Sequence, residues 1–258
     1  MNKFLQSKFF SLLTIVATIF TIFGVNMSQS FEKPFQSWIV FGLLCFLILF
    51  LIFRIYLVTR DTMRKQYSNG YLTVASFLRY TSFDGRRTIY EHFRHIQVKD
   101  FCKGSFEHRF IWTGTNTPKI ESDLQKVGRI KHGEDDFGNC YHNTSLTPTR
   151  SLIYNECEIL HTKAIVENDD AKPFLAQTVK EPIKLINFKV ELFHAKQDNY
   201  NCIAKITRKP ADKPNAKPED IANVTFDFIT KSFTYAIISP EAGYIYKIEW
   251  DKPYVDAK

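Results

Sequence analysis

Cysteine and glycine are scarce in this sequence, and their scarcity excludes several classes of site. Five cysteines and ten glycines occur among the 258 residues. No Cys-x-x-Cys pair is present, so the sequence has neither the motif of a thiol oxidoreductase nor the paired spacing typical of a zinc site. Glycine-rich phosphate loops, serine nucleophile elbows and kinase motifs are absent as well. We therefore predict no catalytic residues and expect that the protein is not an enzyme.

The histidines and acidic residues add no metal site. His92 and His95 are three residues apart, so on a strand their side chains would point to opposite faces and could not share an ion. Glu134, Asp135 and Asp136 form an acidic run, which lacks the alternating ligands and the distal glutamate of a calcium loop. We predict neither a metal nor another cofactor.

Acidic residues are outnumbered by basic ones. The chain has 27 aspartates and glutamates against 34 lysines and arginines, which gives a formal net charge of +7. Such a balance suits an anionic membrane face, an acidic partner or a nucleotide. Because the excess is modest and no nucleic-acid-binding module is present, extended nucleic acid is not a predicted partner.

Long uncharged runs occur only near the N-terminus. Residues 9–25 and 35–53 contain no charged side chain, and each has about the ~20 residues that a helix needs to cross a bilayer. The sequence therefore predicts two transmembrane helices. The predicted order is a cytoplasmic N-terminus, a first transmembrane helix, an external link, a second transmembrane helix, a stalk and a cytoplasmic β-rich domain: residues 1–8, 9–25, 26–34, 35–57, 58–70 and 71–258.

Basic residues flank this predicted hairpin on one side. Lys3 and Lys8 precede the first span, whereas Arg54, Arg60 and Arg64 lie at or beyond the inner end of the second span. Positive residues remain preferentially on the cytoplasmic side. We therefore predict a multi-pass protein of the inner (cytoplasmic) membrane, with both termini and the C-terminal domain in the cytoplasm.

Three residues of the second span are expected at the membrane interface. Trp38 and Tyr56 lie near its two ends, where amphipathic rings prefer the headgroup region, and Arg54 can extend its side chain toward the headgroups. In the first span, Ser11 and Thr14 begin a row of small and hydroxyl-bearing residues that continues at every third or fourth position. Such a row favours helix–helix contact, so homo-oligomerisation through the spans is a further hypothesis, beside the lipid bilayer as the first partner.

Beyond residue 70 the apolar pattern changes to the twofold alternation of strands. Asp84-Gly85 marks a tight turn, and later runs alternate clearly between apolar and polar residues. The predicted strands cover residues 71–80, 87–98, 107–113, 184–194, 202–207, 224–228, 233–237 and 244–250. Several short strands joined by turns favour an antiparallel β-sandwich, immunoglobulin-like, with a β-barrel as the alternative.

Two segments stand apart from this pattern. Residues 114–148 are polar and poor in periodicity, apart from a helix-like patch at residues 120–127. A segment of that length and composition predicts a long mobile or functional loop. Residues 209–220 are rich in lysine and proline, and we expect an extended spacer between two strands.

The stretch from Arg79 to Arg109 combines basic and aromatic residues. Guanidinium groups beside aromatic rings can supply charge for a phosphate and a flat surface for a base, as a nucleotide-type ligand requires. The candidate ligand-binding residues are Arg87, Arg94, His95 and Arg109. The alternative interpretation is a solvated strand face whose arginine stems cover apolar surface.

The order of parts resembles that of bacterial antiviral membrane effectors, in which two N-terminal helices precede a β-rich domain that senses a cyclic nucleotide and then damages the membrane. This resemblance concerns the layout alone and implies a membrane-tethered cytoplasmic sensor of a ligand or partner. The alternative hypothesis is a non-enzymatic adaptor or scaffold that binds a protein partner at the inner membrane face. A membrane-associated enzyme with scattered catalytic residues is the third.

Overall fold

The structure is a computed structural model that describes residues 34–253 except 112, 135–139, 168–169, 197–202 and 214. The predicted first span, residues 9–25, lies outside the described residues, together with the N-terminus 1–8 and nearly all of the link. The side chain of Trp38 is outside them as well. The chain divides into two units, Met1–Thr59 and Arg60–Lys258.

One helix, α1 (Pro34–Gln66), precedes the strands. The most apolar 18-residue window of its segment Phe41–Gln66 has a mean hydropathy of 2.7, and none of that window is buried. It is therefore long and apolar enough to cross a membrane. Proline suits the first position of a helix because its missing N–H would be unpaired there. Within the part of the chain that the structure describes, this is the one candidate span, where the sequence predicts two for the whole chain.

The transition from helix to sheet takes four residues. The backbone N–H of Tyr67 donates to Met63 O, and Gly70 adopts a φ of 71° before β1 begins at Tyr71. This conformation suits glycine because it lacks a Cβ. Gly70 therefore turns the chain into the sheet at the last residue of the predicted stalk, 58–70.

The second unit consists mainly of strands. In chain order they are β1 (Tyr71–Ser82), β2 (Thr88–Val98), β3 (Cys102–Lys103), β4 (Phe106–Ile111), β5 (Lys119–Glu121), β6 (Lys126–Val127), β7 (Lys131–Glu134), β8 (Cys140–Thr147), β9 (Leu152–Ile153), β10 (Cys157–Val166), β11 (Phe174–Val179), β12 (Leu185–Leu192), β13 (Ile203–Pro210), β14 (Glu219–Thr225), β15 (Ser232–Ile238) and β16 (Tyr244–Glu249). The prediction of a mainly β domain is confirmed.

The largest sheet has six strands in the order β15-β12-β1-β2-β10-β5. Its neighbours are antiparallel except β1 and β12, which pair in parallel with Leu78 opposite Phe188. The prediction of a purely antiparallel arrangement is therefore wrong at this junction. A parallel pair needs a long crossover connection, and all the strands from β2 to β11 lie between these two partners in the sequence.

A four-stranded sheet, β11-β16-β13-β14, shares a core with one face of the six-stranded sheet. Phe188 on β12, Ile206 on β13 and Ile248 on β16 are all fully buried in it. We call this cluster the main core. Neither sheet closes on itself in the described chain, because β15 and β5 end the larger sheet and β11 and β14 end the smaller one. The β-barrel alternative is therefore wrong.

The segment 114–148 is not the loop that the sequence predicts. It contains β5 to β8, and β8 pairs with β4, β6 and β7 in a further sheet. The helix-like patch at 120–127 is instead β5, a turn and β6, because Ser122 Oγ accepts the backbone N–H groups of Leu124 and Gln125. Short strands held by long-range pairing leave little periodicity for sequence reasoning to detect.

A second core lies where this sheet meets β1, β2 and β10. Its fully or nearly fully buried members include Ile96, Phe106, Leu146 and Leu160. The inner face of the six-stranded sheet is thus covered at one part by the main core and at another by this second core.

Candidate functional site

Arg87 lies at an open groove beside the edge strand β5. The groove has a volume of about 550 Å³ and is lined by Arg87, Asn116, Thr117, Lys119, Ile165 and Glu167. Arg87 is the one sequence-predicted binding residue that lines it.

A tight turn holds the backbone of Arg87 in place. Asp84 Oδ1 accepts the backbone N–H groups of Arg87 and Arg86, at 2.8 and 2.9 Å. Gly85, which lies between Asp84 and Arg86, adopts a φ of 79°. These hydrogen bonds lower the pKa of the Asp84 carboxyl below its ordinary value. The Asp-Gly pair that predicts a hairpin turn therefore also positions a candidate ligand-binding side chain.

Charges of both signs line the groove. Arg87 Nε lies 3.4 Å from a carboxylate oxygen of Glu167, and both side chains are more than half exposed. Lys119 pairs with Glu121 at the edge of the sheet. Surface pairs of this kind contribute little net stability. An anion that binds better than these carboxylates could therefore recruit both Arg87 and Lys119 at small cost.

A pair of loops forms the groove wall. Asp170 accepts the backbone N–H of Thr115 at 2.9 Å and also its hydroxyl, and these bonds lower the pKa of Asp170. Asn116 Nδ2 donates to Glu167 O at 3.2 Å. The wall is thus fixed to the end of β10 by side chains from residues 115–116.

The other predicted binding residues lie elsewhere. Arg94 is on the inner face of β2, where its guanidinium donates to Tyr71 Oη at 3.1 Å and to Glu107 O at 3.3 Å. His95 follows it on the opposite face, directly across from Ile159. Arg109 lies on the exposed side of β4, with its guanidinium 3.7 Å from the ring centroid of Tyr141. The structure therefore does not bring Arg87, Arg94, His95 and Arg109 into one pocket.

A buried polar layer separates the two cores on the inner face. His92 Nε2 lies 2.7 Å from Ser76 Oγ, and the Ser76 hydroxyl donates to Gln177 Oε1 at 3.0 Å. Ser76 Oγ must then accept, so His92 carries its proton on Nε2. Nearby, His108 Nε2 lies 3.2 Å from Thr162 Oγ1.

Both imidazoles in this layer are held neutral. Burial, assisted by the nearby Arg94 charge, lowers the pKa of His92 to about 3. Burial and the same arginine lower the pKa of His108 well below its ordinary value. The rings are 5.6 Å apart between centroids, and within the described chain no three His, Cys, Asp or Glu residues could hold a metal ion. The layer satisfies buried hydrogen-bonding groups rather than presenting a reactive base.

The outer face of the six-stranded sheet has an apolar half that sequence reasoning did not single out. One row of directly paired residues runs Ile238, Leu185, Ala75, His95 and Ile159. In the next row, Phe77 pairs with Phe93. Ile238 is 81 %, Ile159 45 % and Phe77 40 % exposed. We call these two rows the outer apolar rows. Alternation on single strands gives the facing of each residue, but only the register reveals that they are adjacent.

The row of Phe77 and Phe93 continues to His161, and the next outer row, which contains Arg79, Glu91 and Lys163, is charged. His161, stacked on Phe93 at 4.4 Å, accepts the backbone N–H of Asp123 through Nδ1. Its Nε2 lies 3.7 Å from Glu91. Burial lowers the pKa of His161, with the nearby carboxylates acting in the opposite direction. The loop at 122–125 thus covers this ring and leaves the apolar rows beside it open.

Comparisons with known proteins assign no family. No protein-family model matches the chain, and no curated protein matches it. Among solved structures, an M1 zinc metallopeptidase of Deinococcus radiodurans is 9 % identical with a TM-score of 0.36, over 70 % of this chain and 42 % of that one. A structure from Parabacteroides distasonis with a provisional protease assignment is 7 % identical with a TM-score of 0.42, over 69 % and 40 %. The chain thus spans about two fifths of these proteins, and likeness at this level assigns neither a fold family nor an activity.

Proposed function

We propose that this protein is a membrane-anchored recognition module that works by binding rather than by catalysis. The observation that carries the proposal is the direct passage from α1 to β1: only residues 67–70 separate the apolar helix from the β-domain. Such a short connection keeps whatever the β-domain binds close to the bilayer surface.

The finer organisation belongs to the same proposal. Residues 9–25 form a second span, both termini and the β-domain are cytoplasmic, and the domain is an immunoglobulin-like sandwich. The basic flanks of the apolar runs support this orientation. In the antiviral-effector version of the proposal, ligand binding brings copies together and their spans, packed against one another, disturb the membrane.

The ligand class that the groove supports is a small phosphate-bearing molecule of the nucleotide type. Arg87 and Lys119 both line the groove, and their exposed carboxylate partners can be displaced. A guanidinium and an ammonium together suit a phosphate group better than a neutral ligand.

A thermal-shift screen of the full chain in detergent, against nucleotides and cyclic nucleotides, tests this function. We expect at least one compound to raise the unfolding temperature, and we expect Arg87→Glu and Lys119→Glu to abolish the shift. Lys205→Glu, on an exposed position of β13, is the matched control and should keep it. Absence of any shift, or equal loss in the control, contradicts the ligand site.

The adaptor function is a second candidate because Ile238, Ile159 and Phe77 of the outer apolar rows are exposed. Soluble proteins seldom leave neighbouring large apolar side chains open unless a partner covers them. Crosslinking from Phe77 and Ile238 in intact cells should trap one dominant protein if the adaptor function holds. A Phe77→Asp variant should then lose that crosslink, whereas Ile229→Asp, 94 % exposed on a turn, should retain it.

A further inference from the structure

Three large apolar side chains are exposed together at one end of the β-domain. Phe101 is 73 %, Ile153 55 % and Tyr154 47 % exposed. They are neighbours because Ile153 pairs with Cys102 in the β3–β9 ladder and the backbone N–H of Tyr154 donates to Phe101 O at 3.2 Å. Two short loops therefore present one aromatic and aliphatic tip.

This tip lies at the end of the domain where the chain arrives from α1. Gly70 O accepts the backbone N–H groups of Lys99 and Asp100, at 2.9 and 3.0 Å. Asn155 N–H donates to Val98 O at 2.8 Å. The loop that begins at Lys99 is thus hydrogen-bonded directly to Gly70, four residues after the end of the helix. The loop that contains Asn155 is bonded to Val98, the last residue of β2. We call this surface the stem end.

Basic side chains surround the tip. Lys99 Nζ lies 5.8 Å from the ring centroids of both Tyr67 and Tyr154. A third loop joins the stem end, since Ser68 Oγ donates to Glu181 at 3.3 Å and Lys184 N–H donates to Val74 O at 2.9 Å. The basic residues of the stem end and the last helical turn are Arg64, Lys65, Lys99, Lys103, Arg150, Lys180 and Lys184, against the acidic Asp100, Glu156 and Glu181.

The chain length places the stem end within reach of the headgroups. The apolar part of α1 continues to Val58, and the eight residues from Thr59 to Gln66 span about 12 Å as a helix. The headgroup region itself is roughly 5–8 Å thick on each side of the hydrocarbon. A loop hydrogen-bonded to Gly70 therefore remains within about 15–20 Å of the hydrocarbon boundary, whichever way the domain is turned.

We propose that the stem end docks on the bilayer, with Phe101, Ile153 and Tyr154 entering the headgroup region and the surrounding lysines contacting anionic lipid. This inference rests on the proposed membrane-anchored function and adds a second contact with the membrane beside the spanning helix. Aromatic rings favour the interface, and each basic residue near an anionic surface strengthens the attraction. A docked domain holds the Arg87 groove at the far end of β2, away from the lipid.

Hydrogen exchange of the full chain, measured by mass spectrometry, tests the docking. The chain is placed in dodecyl maltoside micelles, in phosphatidylcholine nanodiscs and in nanodiscs with 30 mol % phosphatidylglycerol. We expect peptides covering residues 99–103 and 150–155 to exchange several-fold more slowly in the anionic discs than in micelles. Peptides covering the turn at 226–231, at the other end of the domain, should exchange equally in all three.

A matched pair of variants separates lipid contact from other effects. Phe101→Glu with Tyr154→Glu should abolish the protection, while Ile229→Glu, at a still more exposed apolar position on the opposite turn, should leave it intact. Equal exchange in micelles and discs overturns the proposal, as does protection that appears in micelles and grows with protein concentration, because a second copy then covers the tip. Extraction of the chain by alkaline carbonate, measured in parallel, would instead refute the membrane-anchored function itself.

Discussion

Arg79 pairs with Glu191 across the parallel junction of β1 and β12, with Arg79 Nη2 2.6 Å from a carboxylate oxygen. The Glu191 side chain is 6 % exposed and also receives Lys189 Nζ at 2.7 Å and the Thr81 hydroxyl at 3.0 Å. Burial raises the pKa of Glu191, but the hydrogen bonds from Lys189, Arg79 and Thr81 outweigh it and leave the pKa lowered. The one parallel pairing in the large sheet is thus fixed by a buried carboxylate.

Replacing that carboxylate should weaken the β-domain at neutral pH. We expect Glu191→Gln to lower the free energy of unfolding by about 1–2 kcal/mol at pH 7, because the charge-assisted hydrogen bonds are lost. Since the folded pKa lies below the ordinary value of 4.5, the wild-type contribution is present above that pH and is lost as the pH falls through the folded pKa.

The acid-induced loss of stability should accordingly be shallower in Glu191→Gln. Urea unfolding in detergent between pH 7 and pH 3.5 measures this, and Glu241→Gln, at an exposed turn, is the control with a change below about 0.5 kcal/mol. An identical pH profile for wild type and Glu191→Gln would show that the carboxylate does not stabilise the junction.

The buried His92 predicts a second pH dependence. Its folded pKa of about 3 is below the ordinary 6.5, so the neutral ring stabilises the fold above pH 6.5 and this contribution is lost as the pH falls. A partly buried imidazole that stays neutral in the folded protein costs roughly 1.4 kcal/mol for each pH unit below its unfolded pKa. His92→Gln keeps a donor for Ser76 and should reduce the slope of stability between pH 6 and pH 5 by about that amount. Chemical unfolding at half-unit intervals checks it, and an unchanged slope would mean that His92 titrates in the folded protein.

Gly70 should tolerate substitution by alanine less well than Gly243, a glycine of similar backbone conformation. Gly70 and Gly243 have φ values of 71° and 88°, so alanine at either costs about 1–2 kcal/mol of backbone strain. A Cβ on Gly70 would also lie 2.2 Å from Asp100 Oδ2, whereas nothing lies within 4 Å of one on Gly243. Gly70→Ala should therefore lower the unfolding temperature further than Gly243→Ala. Equal shifts would indicate that Asp100 moves aside freely.

Two lysines in the apolar helix should weaken the attachment of the protein to the membrane. Phe46 and Leu49 are 69 % and 66 % exposed on α1, and each lysine at a span centre costs about 2.5–3.5 kcal/mol of insertion free energy. We expect Phe46→Lys with Leu49→Lys to reduce the carbonate-resistant membrane fraction several-fold, with the proposed span at residues 9–25 as the remaining anchor, while Arg60→Lys leaves it unchanged. Full retention of the double variant in the membrane would show that α1 is not required for anchoring.

The sequence predicts the positions of several strands but not their pairing partners. Alternation located β2, β12 and β16 closely, because a half-buried strand repeats every two residues. It could not detect that β1 lies beside β12 in parallel, nor that residues 140–147 form a strand that three others contact. Neither arrangement leaves a local signal, since both depend on segments far apart in the chain.

The candidate site, likewise, could be predicted from the sequence only in part. A basic and aromatic stretch is visible in the sequence, and Arg87 does line a groove. Yet Arg94 and His95 take opposite faces of β2, and the remaining wall of the groove comes from residues 115–119 and 165–167, which carry no motif. Adjacency of His95 with Ile159 and of Phe77 with Phe93 likewise follows from register alone.

An apolar helix before a mainly β domain can be predicted from the order of residues, because hydrophobic length and twofold alternation are local properties of the chain. The neighbours of each strand, the neutral state of the inner histidines and the meeting of exposed side chains at the stem end are visible in the folded structure alone. Those features arise from contacts between distant segments, whose free energies depend on register and burial rather than on any short run of residues.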